Sequence, residues 1–373
     1  MNTTRTGLSR SATGSVLLGF LCCLPCNLQA QIIIGGITLG GSTANSVTAA
    51  SGFEGQANAV SGYALGSTLS FVNSGALSLL GGAQEASSLA EGVAGVFSAA
   101  ALHTASIGEA NVAATEAGGA DISLTNGGFV FAGGVISADF VMSWATATCS
   151  TNGPIFTARS EVDGLIVDGQ ATAVTGQANQ MVFVSGNILF INEQFVSQTA
   201  SSVQITVNAL HVITSAGVNL VFGSSTAGIT CGSSNNGGQQ TNSPPQECDF
   251  LTGGGWITGT PSGAKANFGV AGGIKNGAFW GHLNYIDHGN GMHVKHSAVT
   301  GYSVDPTDAD CRIIDYNVTI DGQPGTARVR ACDKGEPGRN DIFEIQLSNG
   351  YLAGGDLGGN RPGGGNIQLH KCH

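Results

Sequence analysis

The chain has 373 residues, only 10% of them charged, and 24 acidic residues against 13 basic ones give a formal net charge of −11. Residues 32–231 are the most one-sided part, because Arg159 is the only basic residue there. An acidic surface of this kind excludes binding of nucleic acid or anionic lipid by that part of the chain.

The N-terminus predicts a secretory signal peptide over residues 1–30. Arg5 and Arg10 precede an apolar stretch from Val16 to Leu24, and Leu28-Gln29-Ala30 is a plausible cleavage site. The apolar stretch is too short to span a membrane, and no later segment is long and apolar enough to do so. We therefore expect a secreted or cell-surface protein without a transmembrane segment in the mature chain.

The next part, residues 31–231, has the pattern of a β domain. Apolar and polar residues alternate in "SSVQITVNALHVIT" and "QMVFVSGNILFINEQ", and Gly, Asn and Ser separate such runs at hairpin spacing. Residues 81–105 are richer in Ala and Glu, and Gly92 and Gly95 interrupt them. Their pattern leaves a helix and a strand of small residues equally open.

Residues 232–247, "GSSNNGGQQTNSPPQE", predict a flexible linker, because so polar a segment cannot bury a core. The second domain, residues 248–373, contains ten of the Lys and Arg residues and six of the eight histidines. The predicted fold is therefore all-β, with two sandwich-like domains joined by the linker and stapled by disulfides.

A β-hairpin with a defined register is predicted in the second domain. Asp321-Gly322 favours a type I′ turn, whose central residues need positive φ. With this turn, Asp315 faces Arg328 as a favourable cross-strand pair, and Cys311 faces Cys332 at a non-hydrogen-bonded position. The Cα atoms of such a pair are about 4.5 Å apart, which is within disulfide reach. The hairpin therefore predicts a Cys311–Cys332 disulfide.

Six cysteines remain after the signal peptide, and they divide evenly around the linker. Cys149 and Cys231 precede it, and a disulfide between them would close a loop worth about 4 kcal/mol in the chain-entropy model. Cys248 and Cys372 are left to join the ends of the second domain. All three bridges require an oxidising compartment, in agreement with secretion.

A histidine-rich segment, "GHLNYIDHGNGMHVKH", surrounds a Gly-Asn-Gly turn. Two imidazoles near one carboxylate suit zinc or copper, so His288, His293 and Asp287 are candidate ligands of a transition metal. The alternative is a set of solvated histidines at the rim of a hairpin.

A second candidate metal site is the turn "ACDKGEPGRNDIF". Asp333, Glu336 and Asp341 offer hard oxygen ligands, which suit calcium in an extracellular protein. The alternative is an ordinary solvated acidic turn. No cofactor is required by the sequence, and calcium is a candidate.

Three aromatic residues of the second domain are candidates for glycan contact, because an exposed ring can stack on a sugar. They are Trp256, Trp280 and Tyr285. Their alternative role is packing in the core.

The sequence contains none of the catalytic motifs sought. There is no G-x-S-x-G, no H-E-x-x-H and no phosphate loop, and Ser262 and Lys265 match S-x-x-K only among glycines, where no helix can present them. We therefore expect no enzymatic activity.

The second domain resembles the post-COAP-1 domain in "FLTGGGWITGTPSGAKANFGVAGGIKNGAFWGHLNYIDHGNGMHV", "CDKGEPGRNDIFEIQLSNGY" and "GGGNIQLHK". The first domain resembles the choice-of-anchor P family in "GGVISADFVMSWATATC", "DGLIVDGQ", "ILFINEQ", "QITVNALHVI" and "STAGITC". The resemblance implies a secreted bacterial protein held at the surface by a variable C-terminal anchor, without enzymatic activity. This sequence departs from that pattern, because no sorting motif or C-terminal helix follows the second domain.

The expected function is that of a non-catalytic secreted or cell-surface structural or adhesive protein of bacteria. The alternative is an extracellular binding module, for a glycan or calcium, in the second domain. The expected partner is a surface or matrix component, with a glycan as the candidate, and not nucleic acid.

Overall fold

The structure is a computed structural model that describes residues 49–125, 135–184, 186–232, 249–275, 277–335, 338–359 and 364–371. All of these residues belong to one compact unit. Their regular structure is β-strand except for one 3-10 turn at Gly338–Asn340, so the all-β prediction is confirmed. No helix in the described part of the chain is long and apolar enough to cross a membrane.

Six antiparallel strands form the first sheet, sheet I, in the order β10-β11-β12-β13-β1-β2. These strands are β1 (Ala50–Ala64), β2 (Ser67–Asn73), β10 (Gln180–Val184), β11 (Asn187–Gln198), β12 (Ser202–Ile213) and β13 (Asn219–Cys231).

Sheet II has the order β3-β4-β5-β6-β8-β9, and β7 also pairs with β6. Its strands are β3 (Gly82–Val93), β4 (Phe97–Glu109), β5 (Val112–Leu124), β6 (Ile136–Ser150), β7 (Gly153–Asp163), β8 (Ile166–Val167) and β9 (Gln170–Ala171). The two open interpretations of residues 81–105 are thereby resolved, because this segment forms β3 and most of β4.

Sheets I and II pack face to face as a β-sandwich. Their common core includes Val60 and Leu220 of sheet I with Leu102 and Val141 of sheet II, all completely buried. A second apolar cluster between the same two sheets contains Cys149 and other small residues of sheet II.

Sheet III contains nine strands in the order β21-β20-β19-β18-β17-β16-β15-β14-β22, so all but the last are neighbours in chain order. The strands are β14 (Asp249–Ile257), β15 (Ala266–Lys275), β16 (Ala278–Asp287), β17 (Met292–Asp305), β18 (Asp308–Ile320), β19 (Gln323–Cys332), β20 (Ile342–Leu347), β21 (Leu352–Asp356) and β22 (Gly365–Lys371).

Sheet III curls around a core of its own as a half-barrel. Leu251, Phe268, Tyr316 and Phe343 belong to this core, and every residue of the cluster comes from residues 251–369. The second part of the chain is thus one curled sheet, whereas the sequence predicted a sandwich, because alternation reveals a buried face but not the element that covers it.

The outer side of the half-barrel packs on sheet II. Phe250 of sheet III contacts Ile107 and Ala114 of sheet II, and Trp256 lies in a cluster with Trp144. Sheet II is therefore covered on both faces, which explains why eight consecutive residues of β5 are buried.

Strands up to Cys231 belong to sheets I and II, and strands from Asp249 onward belong to sheet III. The predicted signal peptide, residues 1–30, lies outside the described residues, as does the predicted linker apart from Gly232.

Candidate functional site

The hairpin of β18 and β19 has the register that the sequence predicts. Asp321 and Gly322 have φ of 50° and 79°, as a type I′ turn requires, and Ile320 pairs with Gln323 beside the turn. At the far end Cys311 and Cys332 form a disulfide with their Cα atoms 4.0 Å apart.

The second disulfide joins Cys149 at the end of β6 to Cys231 at the end of β13. It connects sheets I and II across the sandwich, and both cysteines are buried. Cys248 and Cys372, the third predicted pair, lie outside the described residues.

The carboxylates of the acidic turn proposed for calcium accept hydrogen bonds from backbone N–H groups, so they have a structural role. Asp333 accepts hydrogen bonds from the backbone N–H of Gly335 and Leu369. Asp341, which is completely buried, accepts hydrogen bonds from the N–H groups of Lys334 and Ile367. The two aspartates therefore tie β22 to this turn, and Glu336 lies outside the described residues.

The residues proposed for a transition metal diverge around the β16–β17 turn. Asp287 is buried and accepts hydrogen bonds from the Tyr351 hydroxyl at 2.8 Å and the Gly289 N–H at 2.7 Å. His288 lies 3.0 Å from Asp121 of sheet II, whereas His293 is exposed. The structure therefore does not bring these three candidate ligands together.

The aromatic candidates for glycan contact are largely covered. Tyr285 is completely buried in the half-barrel core, and Trp256 is 4% exposed between sheets II and III. Trp280 is half-buried, and its ring lies 5.8 Å from that of Phe250. Tyr285 and Trp256 are therefore covered and cannot stack on a sugar, whereas Trp280 keeps part of its surface exposed.

A groove of about 580 Å³ opens on the outer surface of sheet III, and we call it the outer groove. Strands β18 to β21 and Gly259 form it; the lining residues are Gly259, Ile313, Arg328, Arg330, Glu344, Ile345, Gln346, Leu352, Ala353 and Gly354. It therefore combines charged and amide side chains with exposed apolar surface, because Leu352 is 61% exposed.

One wall of the outer groove depends on glycine. The Gly354 N–H donates to the Gly259 carbonyl at 2.9 Å, and a Cβ at Gly259 would lie 1.8 Å from the Gly354 oxygen. Two glycines are therefore needed where the backbone closes this side of the groove.

The two arginines of the outer groove are paired with carboxylates, of which Asp315 and Asp305 lie outside the groove and Glu344 lines it. Arg328 donates to both oxygens of Asp315 at 2.8 and 3.1 Å. Arg330 donates to Asp305 at 2.5 Å and lies 3.5 Å from Glu344. Each guanidinium has five N–H donors, so the pairing of Arg328 with Asp315 leaves further donors of Arg328 available to a ligand.

The interface between sheets II and III contains a second concentration of ionisable groups. Lys265 lies 2.8 Å from Asp121, and the same carboxylate contacts His288. Glu161 accepts hydrogen bonds from the N–H groups of Gly364 and Gly365. Burial, followed by the neighbouring Asp163, raises the pKa of Glu161 to about 8.

Sequence reasoning missed both of these places. The outer groove combines outward-facing positions of four strands, and period-2 alternation marks such positions as exposed without showing that they line a depression. The excess of acidic residues in residues 32–231 was a weak signal for the interface between sheets II and III. It indicates that these carboxylates need a neutral or basic partner, and such a partner can belong to the same chain.

No family model and no curated protein matches the chain. Among solved structures, a protein assigned as AttH from Nitrosomonas europaea is 8% identical, with 85% of this chain and 92% of that chain covered and a TM-score of 0.20. Kievitone hydratase from Nectria haematococca is 8% identical, with coverages of 70% and 85% and a TM-score of 0.18. Similarity at this level supports neither a shared fold nor a shared activity.

Proposed function

We propose that the chain is a non-catalytic secreted or cell-surface protein of bacteria, related to the choice-of-anchor P and post-COAP-1 families, with a structural or adhesive role. The outer groove is the observation that carries this proposal. It provides a fixed, open binding surface on the side of the half-barrel that bears Arg328 and Leu352, where a partner can reach it.

The chemistry of the outer groove suits a glycan. Arg328, Gln346 and Glu344 supply planar hydrogen-bonding groups of both polarities, while Ile313 and Leu352 supply apolar surface. Sugars present hydroxyl groups and apolar C–H faces side by side, so they need both kinds of contact. Arg330 and Glu344 also compensate each other's charge, which favours a neutral saccharide over a strongly anionic one.

Rigidity of the outer groove favours binding. The Arg330 guanidinium lies 3.2 Å from Cys311 Sγ, so the disulfide at the end of the hairpin abuts one of the lining side chains. A site that is already ordered loses less conformational entropy when it binds a ligand.

Binding to a glycan array by the purified, oxidised protein tests the proposal, with calcium and with a chelator. We expect calcium-independent binding that Arg328→Ala weakens at least about tenfold, since one charged hydrogen-bonding residue is lost. Arg339→Ala is the matched control, because it removes an exposed guanidinium that does not line the outer groove. Absence of glycan binding, or equal loss in both variants, would contradict a role of the outer groove.

Cell fractionation of the source bacterium tests the expected location separately. We expect the protein in the medium or in the surface fraction, since its disulfides require an oxidising compartment. Recovery with the cytoplasm in reduced form would refute the extracellular assignment.

A further inference from the structure

Strand β10 is an open edge of sheet I. Among the described residues it pairs only with β11, on one of its two sides. Val184 and Asn187 are the last pair of this hairpin, and the pair that closes a hairpin with two residues between its members is hydrogen-bonded. The backbone groups of Val184 and Val182 therefore point to β11. Those of Met181 and Phe183 point to the open side, where they are available to another strand.

The side chains of Met181 and Phe183 lie on the outer face of sheet I. They are 50% and 66% exposed, whereas the side chain of Val182 between them packs on the core. Their cross-strand partners on β11 are the half-buried Phe190 and Ile188. An apolar patch therefore borders the open edge. Such a patch beside free backbone groups is a template for pairing with another chain.

The devices that normally protect an edge strand are missing at β10. Proteins prevent edge-to-edge pairing with charged residues, above all lysine, and with proline. Residues 169–192, which include β10 and its hairpin partner up to Asn192, contain no charged residue, no histidine and no proline. Nothing in the composition of this stretch therefore opposes the approach of a further strand.

Other edge strands in the described part of the chain are protected. Strands β3, β7, β21 and β22 each contain at least one charged residue, and β9 has only two residues. The opposite edge of sheet I, β2, is uncharged, but Val72 has a φ of 54°, which interrupts its extended backbone. Among these edges β10 therefore combines a regular backbone with the absence of charge.

We propose that β10 pairs with β10 of a second copy of the chain, antiparallel about a two-fold axis at Val182. In this register Met181 of each copy faces Phe183 of the other. Both residues direct their N–H and C=O groups to the open side, so the two pairs are hydrogen-bonded. Their side chains form two apolar cross-strand pairs on the outer face. The edge is thus complementary to itself, as a two-fold interface requires.

The absence of charge along β10 favours a second copy as the partner. Two copies of net charge −11 repel each other, and an edge that bears carboxylates would add to this repulsion. A partner selected by charge finds no charged group to pair with along residues 169–192. The edge offers main-chain groups and apolar side chains, which a second β10 supplies in equal number. Because β10 has five residues, we expect a small interface and a reversible dimer.

Pairing through β10 leaves the outer groove open. Sheet I covers one face of sheet II, and sheet III, which bears the groove, covers the other. A dimer therefore presents two outer grooves. If each groove binds a glycan as proposed, the dimer attaches to a surface of repeated glycans more tightly than the monomer does. The dimer itself does not depend on that binding.

Sedimentation velocity of the oxidised full-length protein over a range of concentrations tests the proposal. We expect a monomer–dimer equilibrium that Phe183→Lys weakens at least about tenfold, because a lysine on an edge strand opposes pairing. Phe279→Lys is the matched control, since it introduces the same charge at an exposed ring of sheet III, and we expect unchanged association. A monomer at every concentration, or equal weakening in the two variants, would overturn the proposal.

A double variant tests the register. Met181→Glu combined with Phe183→Lys brings opposite charges face to face across the two-fold axis, so it should dimerise more tightly than Phe183→Lys alone. No gain over the single variant would refute the antiparallel register.

Amide hydrogen exchange measured by NMR needs no variant. The N–H groups of Met181 and Phe183 should exchange freely in the dilute monomer and become protected in the dimer, whereas that of Val182, which points to β11, should be protected in both. Protection of Met181 and Phe183 in the monomer would mean that another part of the same chain covers the edge, and it would overturn pairing with a second copy.

Discussion

Arg312 is the largest completely buried side chain among the described residues, and its charge is fully accommodated. Its Nε donates to Asp249 at 2.6 Å, and its Nη1 donates to the carbonyls of Ala309 and Cys311 at 2.9 and 2.8 Å. The same Asp249 accepts a hydrogen bond from Tyr302. This network joins the beginning of β14 to β17 and β18, so it stabilises the curl of sheet III.

Arg312→Ala should lower the free energy of unfolding by roughly 3 kcal/mol, because it removes the cation that pairs with Asp249 and the donor to the Ala309 and Cys311 carbonyls. Arg328→Ala is the matched control, since its side chain is 62% exposed and a surface pair is worth less than about 1 kcal/mol. Chemical denaturation of both variants provides the comparison. Equal losses would show that burial of the Arg312 network contributes nothing.

Glu116 should make stability depend on pH. It is 2% exposed, and burial raises its pKa to about 8 although Thr252 and Arg159 act in the opposite direction. In the unfolded chain its pKa returns to about 4.5. Between these values the folded state retains a proton that the unfolded state has lost, so the stability contributed by this group falls as pH rises from about 4.5 to about 8.

Glu116→Gln resembles the protonated carboxyl and should remove this part of the pH dependence. The slope lost is at most about 1.4 kcal/mol per pH unit. Thermal unfolding between pH 5 and 8 measures it, with Glu344→Gln as a control for the change of a carboxyl to an amide on a half-exposed side chain. Parallel profiles for the parent protein and Glu116→Gln would contradict a protonated Glu116.

The strands formed by residues 81–105 show how pairing overrides local preference. Ala and Glu favour a helix, yet β4 is paired on one side with β3 and on the other with β5. Nearly every residue of β4 is buried, so the apolar–polar alternation that marks a half-exposed strand is absent. The segment therefore lacked both local signals of a strand, namely a composition that favours β structure and an apolar–polar alternation. Pairing with β3 and β5 determined its conformation.

The two disulfides should differ in their effect on stability. Cys149 and Cys231 are separated by 82 residues, and Cys311 and Cys332 by 21. The chain-entropy model assigns about 1 kcal/mol more to the longer loop than to the shorter one. Replacing each pair by alanines and comparing melting temperatures tests this order. A larger loss for Cys311–Cys332 would show that packing in the hairpin outweighs loop entropy.

At the scale of the whole molecule, close packing joins sheet II to sheet III. His103 lies against Gly254 and Gly269, and a Cβ at Gly254 would be 2.7 Å from His103 Nε2. Lys265 with Asp121 and Glu161 with Gly364 provide polar contacts across the same interface. Side chains of one sheet thus fill spaces that glycine leaves in the other.

Gly254→Ala should destabilise the protein by about 1–3 kcal/mol through overpacking against His103. His103→Ala opens the space, so the double variant should be more stable than the sum of the single losses by about 1 kcal/mol. Chemical denaturation of the two single variants and the double variant measures this coupling. Additive losses would mean that the two residues do not contact each other in solution.

Much of the local structure followed from residue types and their spacing alone. Asp321 and Gly322 determine the turn, the turn determines the register, and the register brings Cys311 to Cys332, since each step involves neighbours within one hairpin. Alternation likewise identified β10, β11 and β12 of sheet I and the all-β class, because the period of two is a property of the strand itself.

The long-range arrangement was decided by tertiary packing. Glu85 meets His282 and His296 only because sheet II covers sheet III, and the same covering buries Trp256, which the sequence left free to be exposed. The outer groove likewise exists only because four strands of one sheet curve together. Periodicity shows which face of a strand is buried, but contacts between residues about two hundred positions apart depend on how whole sheets pack, and no local pattern encodes that.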